Sequence, residues 1–426
     1  MIRAHLNMEC IFYAWEGQNH MSCKFVTAIS LSLLVQSCIA PSALAAKPSP
    51  VAPLDNATVS SYLAKTRAYM KAGDAKSVLK IQEFMIQHFP NEPAFYQIAG
   101  EAQSSLNNHQ KSIELLDKAQ NLLKTNPNAR FGIPDGKLPL YISRTRSYSR
   151  LKNYPKALEN LNEAIKLDTA GKYKMLYAIR GTINLELNKI TEAKKDFEKI
   201  KNADLDHVAL YDAAVLGYKL GYFVDAANLG KKAVAKKPED PLYLGNCGYY
   251  FFELGRDSEA AEFFKRAIAT RKAPMNSYCD YAWLEKISGH IDEAEPHAKT
   301  AIELYPKTKK EASYDYNTFL NGATAYMVLN QFDEARKELT ELKKQFPNCK
   351  EYYRQEGRIL KAEGKLEQAL EAYSKYLENS EASRAFSERA AILKKLNRLD
   401  EAKKDLEKAK ANGYLPADKE IAELSE

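Results

Sequence analysis

The chain has 426 residues, of which 45% are hydrophobic and 27% charged, and its formal net charge is +7. Length alone suggests two or three globular domains, and the small positive surplus mildly favours acidic partners or anionic surfaces. Only three cysteines follow the first 45 residues, an odd number that argues against a fold stapled by disulfides.

Residues 1–45 predict a secretory signal peptide. From Met21 the sequence has a basic start, an apolar run over residues 25–35, and small residues before Ala46. Residues 1–20 fit no part of such a signal, so translation is predicted to start at Met21. The apolar run is too short for a firm transmembrane span. The protein is therefore predicted to be exported to the periplasm or cell envelope, with residues 46–58 as a linker.

A second processing site is present within the signal. The sequence from Val35 to Cys38 resembles a bacterial lipobox, whose cysteine is lipidated after cleavage. Lipidation of Cys38 would anchor the protein to a membrane. Soluble export is the favoured prediction, and lipid anchoring and an uncleaved anchor are the alternatives.

A repeated pattern covers residues 59–413 with a period of about 34 residues. The residue that opens the second helix of each repeat, usually alanine, marks the register. The ten marks are Val78, Ser112, Ala157, Ala193, Ala226, Ala260, Ala294, Ala335, Ala369 and Ala402. Two longer intervals reflect insertions at 127–137 and 307–315. This pattern predicts a helix-turn-helix solenoid rather than a compact globule.

Two further columns support the same register. A small residue that lets two helices approach closely is found at Thr66, Gly100, Thr145, Gly181, Ala214, Gly248, Ala282, Ala323, Gly357 and Ala390. A glycine or asparagine that ends the first helix in a left-handed conformation is found at Gly73, Asn107, Asn188, Gly221, Gly255, Gly289, Asn330, Gly364 and Asn397. The third repeat departs, with Lys152 in that column. Prolines predicted to stop second helices are Pro90, Pro238, Pro306 and Pro347.

These columns resemble the tetratricopeptide repeat in its exported bacterial type. The resemblance implies an all-α fold, a right-handed superhelical solenoid of about ten helix-turn-helix repeats. The tail at 414–426 is predicted to add a capping helix, because a proline there precedes a helical pattern. Cys247 and Cys279 are predicted to be packed thiols, with a bridge between them as the alternative, and Cys349 is predicted to be exposed in a linker.

The resemblance also implies which side chains line a concave groove. In such repeats the first helices form that face, which here would be aromatic at its centre and basic towards its ends. The implied groove residues are Tyr211, Tyr218, Tyr249, Phe252, Trp283, Arg146, Arg150, Arg354 and Arg358. Exposed aromatic rings are typical anchors for a partner, and basic flanks would select acidic segments. The alternative is that these aromatic residues pack inside the solenoid.

No catalytic motif is present in the sequence. It lacks the zinc-protease, serine-hydrolase, phosphate-loop and dinucleotide signatures. His290 and His297 are seven residues apart but have no third ligand near them in sequence, so no metal site and no cofactor is predicted.

The leading hypothesis is therefore a non-enzymatic protein–protein interaction scaffold or adaptor in the cell envelope, which holds a peptide or protein in its groove. The alternative is a polysaccharide-binding accessory subunit of an envelope glycan assembly or export enzyme. Nucleic-acid binding is not predicted, because an export signal argues against it and no recognition motif is present.

Overall fold

A computed structural model describes residues 54–125, 137–311, 316–378 and 380–424. These residues form 21 α-helices and no strand. In chain order the helices are α1 (Asn56–Lys71), α2 (Ala75–His88), α3 (Pro93–Ser105), α4 (His109–Thr125), α5 (Leu138–Arg150), α6 (Tyr154–Leu167), α7 (Met175–Glu186), α8 (Ile190–Ile200), α9 (His207–Lys219), α10 (Phe223–Lys236), α11 (Pro241–Glu253), α12 (Asp257–Ala269), α13 (Met275–Ile287), α14 (Ile291–Glu311), α15 (Tyr316–Val328), α16 (Phe332–Gln345), α17 (Glu351–Ala362), α18 (Leu366–Leu377), α19 (Ser383–Lys395), α20 (Leu399–Ala411) and α21 (Ala417–Ala422).

Each of the ten repeats contributes two consecutive helices, so the predicted all-α repeat fold is confirmed. Repeat 1 comprises α1 and α2, repeat 10 comprises α19 and α20, and α21 follows. In nine of the repeats the first and second helices pack against each other, and in repeat 4 Arg180 of α7 pairs with Asp196 of α8 at 2.6 Å. The register marks are buried, as the pattern requires: Ala157 and Ala402, for example, have no exposed surface.

The turn column takes the predicted left-handed backbone. Gly73, Gly255 and Asn188 have φ values of 72°, 66° and 57°. Lys152, the departure from the pattern, has a φ of 57° and so adopts the same conformation without the residue type that tolerates it.

The small column explains how closely the helices approach. A Cβ on Gly248 would lie 2.8 Å from the Phe264 ring, and one on Gly357 would lie 2.7 Å from the Tyr373 ring. Both rings belong to the second helix of the same repeat, so glycine creates the space into which the large side chain packs.

The predicted stop at Pro306 is wrong. Pro90, Pro238 and Pro347 do follow the ends of second helices, but Pro306 lies inside α14, which continues to Glu311. The lost backbone hydrogen bond is offset by packing. The buried Tyr305 bonds Glu338 of α16, and Lys309 Nζ lies 2.9 Å from the same carboxylate. Residues 307–311 of the insertion at 307–315 therefore extend α14.

The three cysteines within the described residues form no disulfide. Cys247 and Cys279 are free and buried, which confirms the prediction of packed thiols. Cys349 is partly buried against the side chains around Phe319, so its predicted exposure is wrong.

The chain divides into an N-terminal block, residues 1–176, and a C-terminal block, residues 177–426. The first helix starts at Asn56, capped by the Asp55 carboxylate, which is three residues before the predicted start of the repeats at residue 59. The predicted signal peptide, Cys38 and most of the 127–137 insertion lie outside the described residues. Within the described ranges, no helix has both the length and the apolarity needed to cross a bilayer.

Candidate functional site

First helices of distant repeats meet in the C-terminal block around Arg354 of α17. Its Nη1 donates to Glu253 Oε1 of α11 at 2.6 Å, and its Nε donates to Glu388 Oε2 of α19 at 3.0 Å. One turn later, Arg358 Nη2 donates to Glu388 Oε1 at 2.6 Å. We call Glu253, Arg354, Arg358 and Glu388 the inner cluster. It joins repeats 6, 9 and 10.

The inner cluster fixes the charge state of its members. Burial acts to raise the pKa of Glu388, but the charges of Arg354 and Arg358 outweigh it and hold this pKa well below its ordinary value. Burial acts to lower the pKa of Arg354, and the carboxylates of Glu253 and Glu388 more than reverse that effect. Glu388 and the two arginines are therefore ionised, and each arginine is in contact with a carboxylate of the cluster.

Helix α13 adds Asp280 and Trp283 beside this cluster. Both side chains are partly exposed, and the Arg358 guanidinium lies 4.8 Å from the centre of the Trp283 ring. Asp280 forms no hydrogen bond or ion pair with the described part of the chain, and burial raises its pKa to about 7. Trp283 Nε1 and Arg358 Nε are buried atoms that lack an acceptor among the described residues.

Helix α19 of the last repeat packs against the end of α11. Ser383 Oγ donates to the Glu253 carbonyl at 2.7 Å, and Arg384 Nε donates to the Phe252 carbonyl at 2.6 Å. The Arg384 guanidinium also lies 3.9 Å from the centre of the Phe252 ring and pairs with Asp257. Ser383 thus satisfies a carbonyl that the end of α11 leaves open, whereas the Phe252 carbonyl also accepts from Gly255 N at 3.0 Å.

The predicted groove tyrosines are partly exposed and held by hydrogen bonds. Tyr211 OH accepts from Asn246 Nδ2 at 2.8 Å, and its ring stacks on Tyr243 with centroids 5.0 Å apart. Tyr218 OH donates to Tyr249 OH at 3.3 Å. Burial raises the pKa of Tyr218 and of Tyr249 well above the ordinary value, so both hydroxyls keep their protons.

Four predicted groove residues are packed rather than exposed. Phe252 is 3% exposed because Arg384 covers it, and Arg354 and Arg358 are 5% and 9% exposed because they bind the glutamates of the inner cluster. In the N-terminal block Arg146 is 7% exposed, whereas Arg150 is exposed. The expected exposure is therefore wrong for Phe252, Arg354, Arg358 and Arg146. Whether any of the nine residues contacts a partner stays a prediction.

Two other places in the described residues carry clustered polar side chains. A cleft of about 640 Å³ between α18, α19 and α20 is floored by Arg389, whose guanidinium forms a two-pronged pair with Asp405 at 2.6 and 2.7 Å. His297 Nε2 lies 3.8 Å from Glu285 Oε2, while His290 is exposed at the preceding turn. In the described ranges no group of three or more His, Cys, Asp or Glu residues could hold a metal ion.

Sequence reasoning missed the acidic side chains of the inner cluster and the acidic side chain beside it. Glu253, Asp280 and Glu388 were not among the predicted site residues. One signal was available, because Glu253 occupies a groove position that is acidic in only one other repeat, where it is Glu186. An acidic residue in one first helix and arginines in another can neutralise each other when the helices meet.

Models of the tetratricopeptide repeat match residues 211–275, 287–359 and 383–411. This chain contains tetratricopeptide repeats. The matched segments all lie in the C-terminal block and include the tyrosines and the inner cluster. Tetratricopeptide-repeat proteins mediate protein–protein interactions.

Curated relatives and solved structures resemble the chain only in part. Hsp70-Hsp90 organizing protein 1 of Glycine max is 26% identical over 206 residues, which cover 46% of this chain and 34% of that protein. TPR repeat-containing protein YpiA of Bacillus subtilis (strain 168) is 26% identical over 166 residues, 39% of each. The chain thus spans well under half the length of these relatives. A crystal structure of a tetratricopeptide repeat protein from Parabacteroides merdae is 20% identical, with a TM-score of 0.40, covering 56% of this chain and 92% of that one.

Proposed function

We propose that this protein is a non-enzymatic interaction scaffold of the bacterial cell envelope that binds a peptide or protein segment on the first helices of its C-terminal block. The observation that carries the proposal is the set of partly exposed aromatic side chains on these helices, Tyr211, Tyr218, Tyr249 and Trp283. Large rings bury much apolar area at a low entropy cost, which makes them effective anchors for a partner.

These rings are also held in place before a partner arrives. The hydrogen bonds of Tyr211 to Asn246 and of Tyr218 to Tyr249, together with the contact of Arg358 on Trp283, fix their positions. A surface that is already ordered loses less entropy on binding. The buried inner cluster supports this surface from beneath.

An acidic partner fits the charges that remain after the inner cluster is neutralised. Arg354 and Arg358 are balanced by Glu253 and Glu388, but the ammonium group of Lys361 on the same helix forms no hydrogen bond or close ion pair with the described residues. We propose that Lys361, rather than the two arginines, supplies the attraction for an acidic segment.

Site-specific photo-crosslinking tests the proposal. A photoreactive phenylalanine analogue at Tyr211 should crosslink a polypeptide in cells of the source organism, and the same analogue at Lys265, exposed on the second helix of repeat 6, should not. Equal crosslinking at both positions, or none at Tyr211, would contradict the proposal. Crosslinking of a glycan at Tyr211 would favour the alternative, an accessory subunit for envelope polysaccharide.

Export is proposed from the sequence of residues 1–45 alone. Mass spectrometry of the mature protein should find an N-terminus at Ala46, and a lipidated N-terminal Cys38 would instead identify the anchored form. The variant Cys38→Ala separates the two cases, because it releases only the anchored form from membranes. Detection in cells of a peptide from residues 4–20 would contradict the proposed start at Met21.

A further inference from the structure

We propose that Trp283, Arg358 and Lys361 bind a carboxylate of the partner, contributed by an Asp or Glu side chain of the bound segment. The inference rests on the proposed function and names the chemistry that one part of the surface recognises. Its starting point is that two buried donors, on side chains that contact each other, lack acceptors.

The two donors are the indole N–H of Trp283 and the Nε–H of Arg358. Both atoms are shielded from solvent and have no hydrogen-bond partner among the described residues. Burying a donor without an acceptor is costly, so such groups in a folded protein point to an absent ligand or water. The Arg358 guanidinium lies 4.8 Å from the centre of the Trp283 ring, so the two donors belong to side chains in contact, and we infer that one acceptor group serves both.

The place can be reached from solvent although its floor is buried. Arg358 is only 9% exposed because Glu388 and the Trp283 ring cover it. Trp283, Asp280 and Lys361, by contrast, are each partly exposed. Lys361 follows Arg358 by three residues on α17 and therefore lies on the same face of the helix.

The charge around the site favours an anion. Glu388 and Glu253 balance Arg354 and Arg358, which leaves Lys361 as the cation without a close counter-ion. Burial lowers the pKa of Lys361, so a carboxylate that neutralises it would relieve that cost.

Asp280 makes the same binding dependent on pH. The groups that face it are Glu253 and Tyr249 of α11 and Arg354 and Arg358 of α17, and its pKa is about 7. A second carboxylate beside Asp280 disfavours its ionised form, so binding takes up a proton. If only the protonated form admits the ligand, affinity should fall about tenfold between pH 6 and pH 8.

Nuclear magnetic resonance of the full chain tests the site directly. The protein has two tryptophans, and Trp283→Phe identifies the indole N–H signal of Trp283. The probe is N-acetylglutamic acid α-amide, which carries one carboxylate, and the matched neutral probe is N-acetylglutamine α-amide. We expect the first to shift the Trp283 signal in a saturable way and the second to leave it in place.

Three variants sharpen the test. Lys361→Met should weaken binding of the glutamate probe about tenfold, corresponding to one lost charge contact, whereas Lys265→Met should leave it unchanged. Asp280→Asn should retain binding and abolish its pH dependence. An equal response to both probes, no response to either, or equal effects of the two lysine variants would overturn the inference. A polypeptide crosslinked at Tyr211 without a response at Trp283 would overturn this inference alone and leave the proposed function standing.

Discussion

Both blocks have a largely buried carboxylate on a first helix, and the surroundings shift the pKa of the two carboxylates in opposite directions. In the N-terminal block Glu101 accepts hydrogen bonds from the neutral groups Gln97 Nε2 and Ser143 Oγ, both at 3.0 Å. Burial raises the pKa of Glu101, and these bonds and the charge of Arg146 do not reverse it. In the C-terminal block Glu388 is largely buried, with 15% of its side chain exposed, but its direct pairs with two arginines lower its pKa.

The difference shows what a direct ion pair adds to a buried carboxylate. Neutral donors satisfy its hydrogen bonds without compensating the loss of hydration, so the ionised form remains unfavourable. A guanidinium in contact with the carboxylate compensates that loss and couples the helices that carry the two groups. The C-terminal block thus depends on its buried charges, whereas the N-terminal block bears a cost from its own.

The largest expected effect comes from breaking the inner cluster. Glu388→Gln leaves Arg354 and Arg358 without their shared carboxylate, and removal of one member of a buried ion pair typically costs about 3–5 kcal/mol. The free energy of unfolding of the C-terminal block should fall by that amount in urea titrations followed by circular dichroism. Glu401→Gln, which removes an exposed pair with Arg398, is the control and should cost little. Similar losses in the two variants would show that the cluster has no special role.

The contact between the end of α11 and the C-terminal tail can be tested by replacing Gly255 with alanine. Gly73, a turn glycine of the N-terminal block, provides the control. Gly255 has a φ of 66°, and a Cβ there would lie 2.6 Å from the Tyr414 ring and would also clash with Pro416. Backbone strain and overpacking together predict a loss of about 2–4 kcal/mol for Gly255→Ala. Gly73 of the N-terminal block has a φ of 72° with nothing within 4 Å, so Gly73→Ala should cost only about 1–2 kcal/mol. Equal losses on thermal unfolding would mean that the tail contact is absent in solution.

The two carboxylates predict opposite responses to acid. Because the folded-state pKa of Glu101 is raised, the wild-type N-terminal block loses stability as pH rises from the ordinary value of 4.5 through the folded pKa. Glu101→Gln should therefore stabilise this block at pH 7, and the gain should disappear at about pH 4. The folded-state pKa of Glu388 is lowered, so its contribution is complete above 4.5 and is lost as pH falls. The loss of stability caused by Glu388→Gln should accordingly be smaller at pH 4 than at pH 7. Urea titrations at the two pH values measure both variants, and a change of stability in the same direction for both would contradict the prediction.

The features that the sequence predicted correctly depend on contacts within a single repeat. The alanine marks, the small column and the turn column involve residues only a few turns of helix apart. The space that Gly248 leaves for Phe264 can therefore be inferred from their spacing alone. These features determine each helix pair and follow from steric rules that act locally.

The features that the sequence did not predict are contacts between distant repeats, which depend on the accumulated rotation from one repeat to the next. Arg354 and Glu253 are 101 residues apart, and Ser383 and the Glu253 carbonyl are 130 residues apart. Small rotations between neighbouring repeats accumulate over this distance, and no local pattern records their sum. For the same reason Phe252 was expected in an open groove and is instead covered by Arg384.

The smallest expected effect concerns the one position where the sequence departs from its own turn pattern. Lys152 adopts the left-handed conformation after the end of α5. This conformation costs a residue with a Cβ about 1–2 kcal/mol. Glycine avoids that cost, but ordering its more flexible backbone on folding costs about 0.5–1 kcal/mol more. Lys152→Gly should therefore stabilise the N-terminal block by about 0.5–1 kcal/mol. Asn188→Gly, at the same place in repeat 4 of the C-terminal block, should give little, because asparagine already tolerates this conformation. Lower stability of Lys152→Gly in thermal unfolding would mean that contacts of the lysine side chain outweigh its backbone strain.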